Sequence, residues 1–203
     1  MISSYRLGDL IMLPRLLKED ELNQILIDYP DSIGSKIILE RRKEGYNDEH
    51  AMQKVIDIVM KHMEYVEHLL PKNIENSTLI HIRLGDVVAG NKWHEAQKRP
   101  LKVDYIKSLL ENDTNQKYVI GKCFFAKTSS TNYEECIKLS NEYLQNVLNE
   151  LNAEHFDSGN ADIDLCCAVK SKLFIQGKGF FSKLIVEIRK RLNLDSISTT
   201  THE

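Results

Sequence analysis

From Asp48 to Leu70, apolar residues fall at positions 52, 55, 56, 59, 63, 66, 69 and 70. That is the spacing of one helical face, and Pro71 ends it. The pattern then changes period. Thr78 to Ile82 favours an extended backbone with apolar side chains on both faces, which predicts a strand buried inside an α/β sheet. Further on, the chain predicts a helix at 102–112, a strand from Tyr118 to Ala126 and a helix from Tyr133 to Leu151 begun by the polar run Thr128–Asn132. A short strand at 153–156, a helix at 161–170, a strand at 173–175 and a last helix follow. In that helix Leu184, Ile185, Ile188 and Leu192 face inward, and Lys183, Arg189, Lys190 and Arg191 outward.

This alternation of strands and helices gives a parallel sheet covered by helices. The predicted fold is therefore α/β, with a Rossmann-like lobe over 72–195. Before it, residues 1–71 form a smaller, mostly helical region. Gly8 implies a turn, a short helix covers 19–28, and Lys36–Glu40 has the composition of a strand. Residues 196–203 read as a frayed polar tail.

Composition narrows the partners. The chain has 203 residues, 42% of them hydrophobic, and a formal net charge of −3. A core is affordable, and a basic field for nucleic acid is absent overall. The first residues lack the pattern of a signal peptide and no apolar run reaches membrane-spanning length, so the expectation is a cytoplasmic protein without a membrane span. Cysteines at 123, 136, 166 and 167 lack zinc-ligand or disulfide-framework spacing and read as buried thiols.

Candidate chemistry gathers at strand ends. The strand Ser77–Ile82 runs into Arg83-Leu84-Gly85-Asp86, at the edge where open α/β sheets bind ligands. Alternation puts His81 and Arg83 on one face, with Ile80 and Ile82 on the other. An arginine held there can present a bidentate fork to phosphate. Gly177-Lys178-Gly179, opening the last helix at Phe180-Phe181-Ser182, offers backbone N–H groups to an anion, with Lys178 and Ser182 as side-chain donors. It is not a Walker A loop, because Lys172 replaces the first glycine and Gly179 the Ser/Thr. Asp162-Ile163-Asp164 spells a metal-binding Asp-x-Asp. Its place at a helix start favours charge stabilisation of the first turn instead, with Asp164 left to accept from a nucleobase or ribose. Asp86, His94 and Glu95 are the local candidates for a general base.

Taken together, His81-Ile82-Arg83-Leu84-Gly85-Asp86, Asp164 and Phe181-Ser182 resemble the GDP-fucose-dependent fucosyltransferase superfamily of α1,2-, α1,6- and protein O-fucosyltransferases. The resemblance implies a GT-B type fold, with 72–195 as donor lobe and a reduced N-terminal lobe. It assigns Arg83 to the donor's β-phosphate, His81 to the nucleotide site, Asp164 to the nucleoside, and Lys178, Gly179, Phe181 and Ser182 to the phosphates. Gly179 and Phe180 stand where the family has paired serines. A shorter match, Arg6-Leu7-Gly8-Asp9, resembles the N-terminal motif that approaches the donor from the other lobe, with Asp9 in place of asparagine. In the α1,6 branch a glutamate after the motif acts as base, which favours Glu95. The expected activity is inverting, metal-independent transfer of a sugar, fucose first, from a GDP-sugar to a glycan or other hydroxyl acceptor, with no further cofactor. Rival readings are a UDP-sugar donor such as UDP-xylose, a non-catalytic nucleotide- or glycan-binding module, and a class I methyltransferase, which the late position of the glycine turn disfavours.

Overall fold

The computed structural model describes residues 7–12, 17–44, 48–85, 87–88, 100–124 and 132–199. Four helices come first: α1 (Leu7–Met12), α2 (Glu19–Asp28), α3 (Ile33–Glu44) and α4 (Asp48–Val66). After α4 a 3-10 turn over Glu67–Leu69 leads to Leu70, whose extended backbone is what a residue before proline adopts. The stretch expected as a strand at 36–40 is instead the middle of α3. Ile33, Ile37 and Ile38 are buried at helical spacing, and the carboxylate of Asp162 accepts from the Ile33 N–H at 2.9 Å. That acceptor lies 129 residues away in sequence, and it adds to a local cap, the Ser32 hydroxyl, which accepts from the Ser35 N–H at 3.0 Å.

Gly8 does not make a turn either; it is the second residue of α1. A Cβ there would stand 2.6 Å from the Phe180 carbonyl carbon, so the missing side chain is what lets α1 lie against a later helix. The guanidinium of Arg41 holds the other end of α1, donating to the Leu10 carbonyl at 2.8 Å and the Ile11 carbonyl at 3.3 Å.

The sheet region follows the expected alternation. Its elements are β1 (Thr78–His81), β2 (Leu84–Gly85), α5 (Val103–Leu109), β3 (Lys117–Ile120), β4 (Cys123–Phe124), α6 (Tyr133–Leu151), β5 (Glu154–His155), α7 (Ala161–Lys170), β6 (Leu173–Ile175), α8 (Phe180–Arg191) and β7 (Ser196–Ile197). Five strands pair in the order β5-β3-β1-β6-β7, all parallel, while β2 and β4 form a separate parallel pair. The single strand expected over 118–126 is therefore two short ones.

Side chains alternate across the sheet as the pleat requires. Leu79, Ile120 and Phe174 join a core built from α1–α4, α7 and α8, whereas Ile80, Val119 and Ile175 pack with α5 and α6 on the opposite face. The fold is thus α/β, a parallel sheet flanked by helices on both faces. None of the described helices is long and apolar enough to cross a membrane.

Two expectations about the C-terminal end are corrected. Ser196–Ile197 is an edge strand paired with β6, and Thr199 is buried with its hydroxyl donating to the Gln176 carbonyl at 2.8 Å, so this part of the polar tail belongs to the sheet. Arg189 is fully buried, not outward. Its Nη1 donates to the carbonyls of Ala168 (2.7 Å), Val169 (3.0 Å) and Ser171 (2.8 Å), and its Nη2 to those of Lys172 (3.1 Å) and Asp195 (2.5 Å). The end of α7 needs donors for its last carbonyls, and one planar fork with five N–H groups supplies them. Arg189→Met keeps the bulk and removes the donors. Because each orphaned buried carbonyl costs about 1–3 kcal/mol, it should destabilise the fold by roughly 3 kcal/mol or more, read from urea unfolding.

Candidate functional site

The sheet order reverses at β1: the chain moves from β1 to β3 and β5 on one side, then crosses to β6 and β7 on the other. Such a switch point opens a crevice beyond the carboxyl ends of the strands. Two segments meet there, the end of β1 with His81 and Arg83, and the end of β6 with Gly177-Lys178-Gly179.

Contact between them is set by absent side chains. A Cβ on Gly177 would overlap the carbonyl oxygen and Nδ1 of His81. Gly179 has φ of 107°, which favours glycine, and a Cβ there would lie 3.5 Å from Nη1 of Arg83. Arg83 is half-buried and lies along the turn that opens α8. Beyond it, the N–H of Gly85 donates to the buried hydroxyl of Ser140 at 2.9 Å, which anchors the chain after the arginine to α6. His81 is only 8% exposed, and its ring tilts against Phe181 at 5.6 Å between centroids. Its Nδ1 is buried without a hydrogen-bond partner among the described residues. Burial, reinforced by the Arg83 charge, pushes this imidazole down to about 4, so it is neutral at pH 7.

Ser182 is fully buried, and its hydroxyl hydrogen is engaged by the carbonyls of Gly177 (2.6 Å) and Gly179 (3.1 Å). It shapes the glycine turn and has no second proton to offer a phosphate. Lys178, half-buried, sits within the turn. Gly8 packs against the Phe180–Phe181 peptide, and Asp9 is the next residue of α1, so the N-terminal pair reaches the same end of α8. Arg6, Asp86 and Glu95, together with His94, lie outside the described residues.

Asp164 stands at the same sheet edge, in the first turn of α7 after β5. Two strand spacings separate β5 from β1, about 10 Å. The two aspartates of Asp-x-Asp do different work: Asp162 caps α3, while Asp164 accepts from the Ser158 hydroxyl at 2.5 Å. Asp164 is 7% exposed, and burial raises its carboxyl to about 6 despite the Ser158 hydrogen bond and the Lys122 charge. Ser158, in the connection from β5 to α7, neighbours this carboxylate but is not singled out by the sequence pattern. Its signal was a hydroxyl six positions before a helix-start carboxylate, too common a pattern to single out.

No family model matches the chain, and no curated protein matches it. Among solved structures it is similar to POFUT1 in complex with GDP, at 12% identity and a TM-score of 0.43, over 71% of this chain and 49% of that one. It is likewise similar to POFUT1 in complex with GDP-fucose, at 10% identity and a TM-score of 0.41, over 72% of this chain and 50% of that one. The chain spans about half the length of the POFUT1 chains it matches.

Two predictions follow from the geometry. Gly177→Ala should push β6 away from β1, costing about 1–3 kcal/mol of stability as an overpacked contact does, measurable by urea unfolding. The second concerns pH. Asp164 has a raised folded pKa, so its contribution is fully present below its unfolded value near 4 and is lost as pH rises through about 6. His81, with a depressed pKa, contributes above its unfolded value near 6.5 and loses that contribution as pH falls toward about 4. The two oppose each other across the same window. Asp164→Asn removes one of them, so its stability relative to the wild type should fall by about 2 kcal/mol between pH 7 and pH 4.

Proposed function

We propose that the chain is an inverting, metal-independent glycosyltransferase that uses a GDP-sugar, fucose being the first choice, and a glycan or other hydroxyl acceptor. The observation that carries this reading is the meeting of the Arg83 guanidinium with the glycine turn of α8 at the point where the strand order reverses. A diphosphate leaving group needs charge stabilisation placed in advance, and a fixed guanidinium beside the positive end of a helix supplies it. The separation of about 10 Å between β1 and β5 suits a nucleoside diphosphate, with phosphates at Arg83 and the nucleoside at Asp164.

In this reading the acceptor hydroxyl attacks the sugar's anomeric carbon, the bond to the diphosphate oxygen breaks, and the nucleoside diphosphate leaves against Arg83. Glu95, which the motif resemblance favours, or Asp86 takes the hydroxyl proton. His81, neutral and buried, shapes the phosphate side of the site without adding charge. Lys178 supplies the flexible cation, and Gly8 with Asp9 borders the site from α1.

A thermal-shift panel of GDP, UDP, ADP, CMP and S-adenosylhomocysteine tests the ligand class, because a ligand that binds only the native state raises the melting temperature. GDP should give the largest shift. A shift with S-adenosylhomocysteine alone would overturn the proposal. Arg83→Ala should lower turnover by about 100- to 1,000-fold while the unliganded protein melts nearly as before. Donor hydrolysis assayed with and without acceptors separates an enzyme from a binding module, which would leave the sugar on its nucleotide.

A further inference from the structure

The register of the sheet pairs two cations. In the β1–β3 ladder each residue lies beside the one 39 positions on, as Thr78 with Lys117 and His81 with Ile120. In the separate β2–β4 pair the offset is the same, Leu84 with Cys123 and Gly85 with Phe124. The Ile82 N–H still donates to the Ile120 carbonyl at 2.9 Å, and Gly121 has no Cβ to collide with the Ile82 carbonyl. The register therefore runs unbroken through the gap, and Arg83 stands opposite Lys122.

Like charges directly opposite each other on neighbouring strands repel. Here they part: Arg83 lies along the Gly179 turn beyond β6, and Lys122 leans toward β5, where its Nζ pairs with Asp157 at 3.2 Å. The Asp157 carboxylate also accepts from the Gly159 N–H at 3.2 Å. The partner of Lys122 is a poor anchor. Asp157 is 57% exposed and Lys122 33%, and ion pairs open to water hold their members weakly. A lysine on a flexible stem can exchange such a partner for a more highly charged one. Along the edge the order is Asp164 after β5, Lys122 after β3, then Arg83 after β1 and the glycine turn after β6.

We propose that Lys122 is a further cation of the donor site, beside Arg83 and Lys178, leaving Asp157 to bind the phosphate nearer the nucleoside while Arg83 binds the farther one. This rests on the nucleoside-diphosphate reading above. It assigns Lys122 a direct ionic contact with the ligand and Asp157 the role of holding it in the empty site.

Calorimetric titration with GDP and with guanosine tests it, on the wild type and on Lys122→Gln, Lys122→Arg and Asp157→Asn. Lys122→Gln should lose about tenfold in GDP affinity, the value of one charge-assisted phosphate contact, and bind guanosine as the wild type does. Lys122→Arg should retain most of the GDP affinity. Asp157→Asn, which frees the lysine, should bind GDP at least as tightly as the wild type. Undiminished GDP binding by Lys122→Gln would overturn the inference. So would an equal loss for guanosine, which would mean that Lys122 acts only through Asp164, or an equal loss in Asp157→Asn, which would mean that the ion pair is merely structural. If the wild type binds neither ligand, the nucleoside-diphosphate reading itself fails; if it binds GDP and Lys122→Gln matches it, only the role of Lys122 falls.

Discussion

A buried guanidinium holds the C-terminal half of this fold in place. Arg189, on α8, reaches the last carbonyls of α7, the connection from α7 into β6 and the connection from α8 into β7. Its acceptors are backbone carbonyls and serine hydroxyls, so the charge is spread over dipoles and is not neutralised by one buried carboxylate. Burial lowers its pKa to about 10, which still leaves it charged at pH 7. Desolvating that charge costs several kcal/mol, yet without it carbonyls from the end of α7 and from two connections would face the interior without donors. Fixing those connections fixes where β6 ends, and therefore where the glycine turn stands relative to β1.

The site is then shaped by what its glycines lack. At Gly177 the backbone presses on His81 and at Gly8 on the first residues of α8, while Gly179 supplies the positive φ of the turn beside Arg83. These approaches replace side-chain packing with backbone contact, and they bring the β1 arginine beside a helix start. Ser182 completes the arrangement by tying its hydroxyl to the carbonyls of the turn, which fixes the loop's shape before any ligand arrives. Preorganisation of this kind spares a ligand the ordering cost of the loop.

What the sequence revealed divides along the same physical lines. Period and alternation depend on neighbours in the chain, so α4, β1 and the β/α succession after it were legible, as was the separation of His81 from Ile80 and Ile82. Features that depend on distant partners were not. The isoleucines of α3 read as a strand because their β-branched run outweighed the local Ser32 cap, and the second acceptor at the helix start, Asp162, is distant in the chain. Arg189 read as outward because its carbonyl acceptors leave no trace in composition. Ser196 and Ile197 read as a tail because two-residue edge strands carry too few side chains to show a period. At the candidate site, the resemblance drew Arg83 and Ser182 into one expectation, but the commitment of Ser182 to its own turn appears only with coordinates.

The electrostatics of the crevice give His81 and Arg83 different work although they share one strand face. A protonated His81 would add another cation beside Arg83, its cross-strand neighbour Lys122 and Lys178, in a pocket that already has the positive end of α8. Burial against Gly177 and Phe181 keeps the imidazole neutral. Its ring then serves as a rigid wall, and positive charge stays on side chains that reach into the crevice. Asp164, equally buried two strands away, is the acidic counterpart: its carboxyl, raised to about 6, is mostly ionised at pH 7 but close to its titration. A ligand donor would favour the ionised form and lower that pKa, whereas a ligand acceptor would favour the protonated one. The titration of Asp164 therefore makes the β5 end of the crevice sensitive to acid near pH 6.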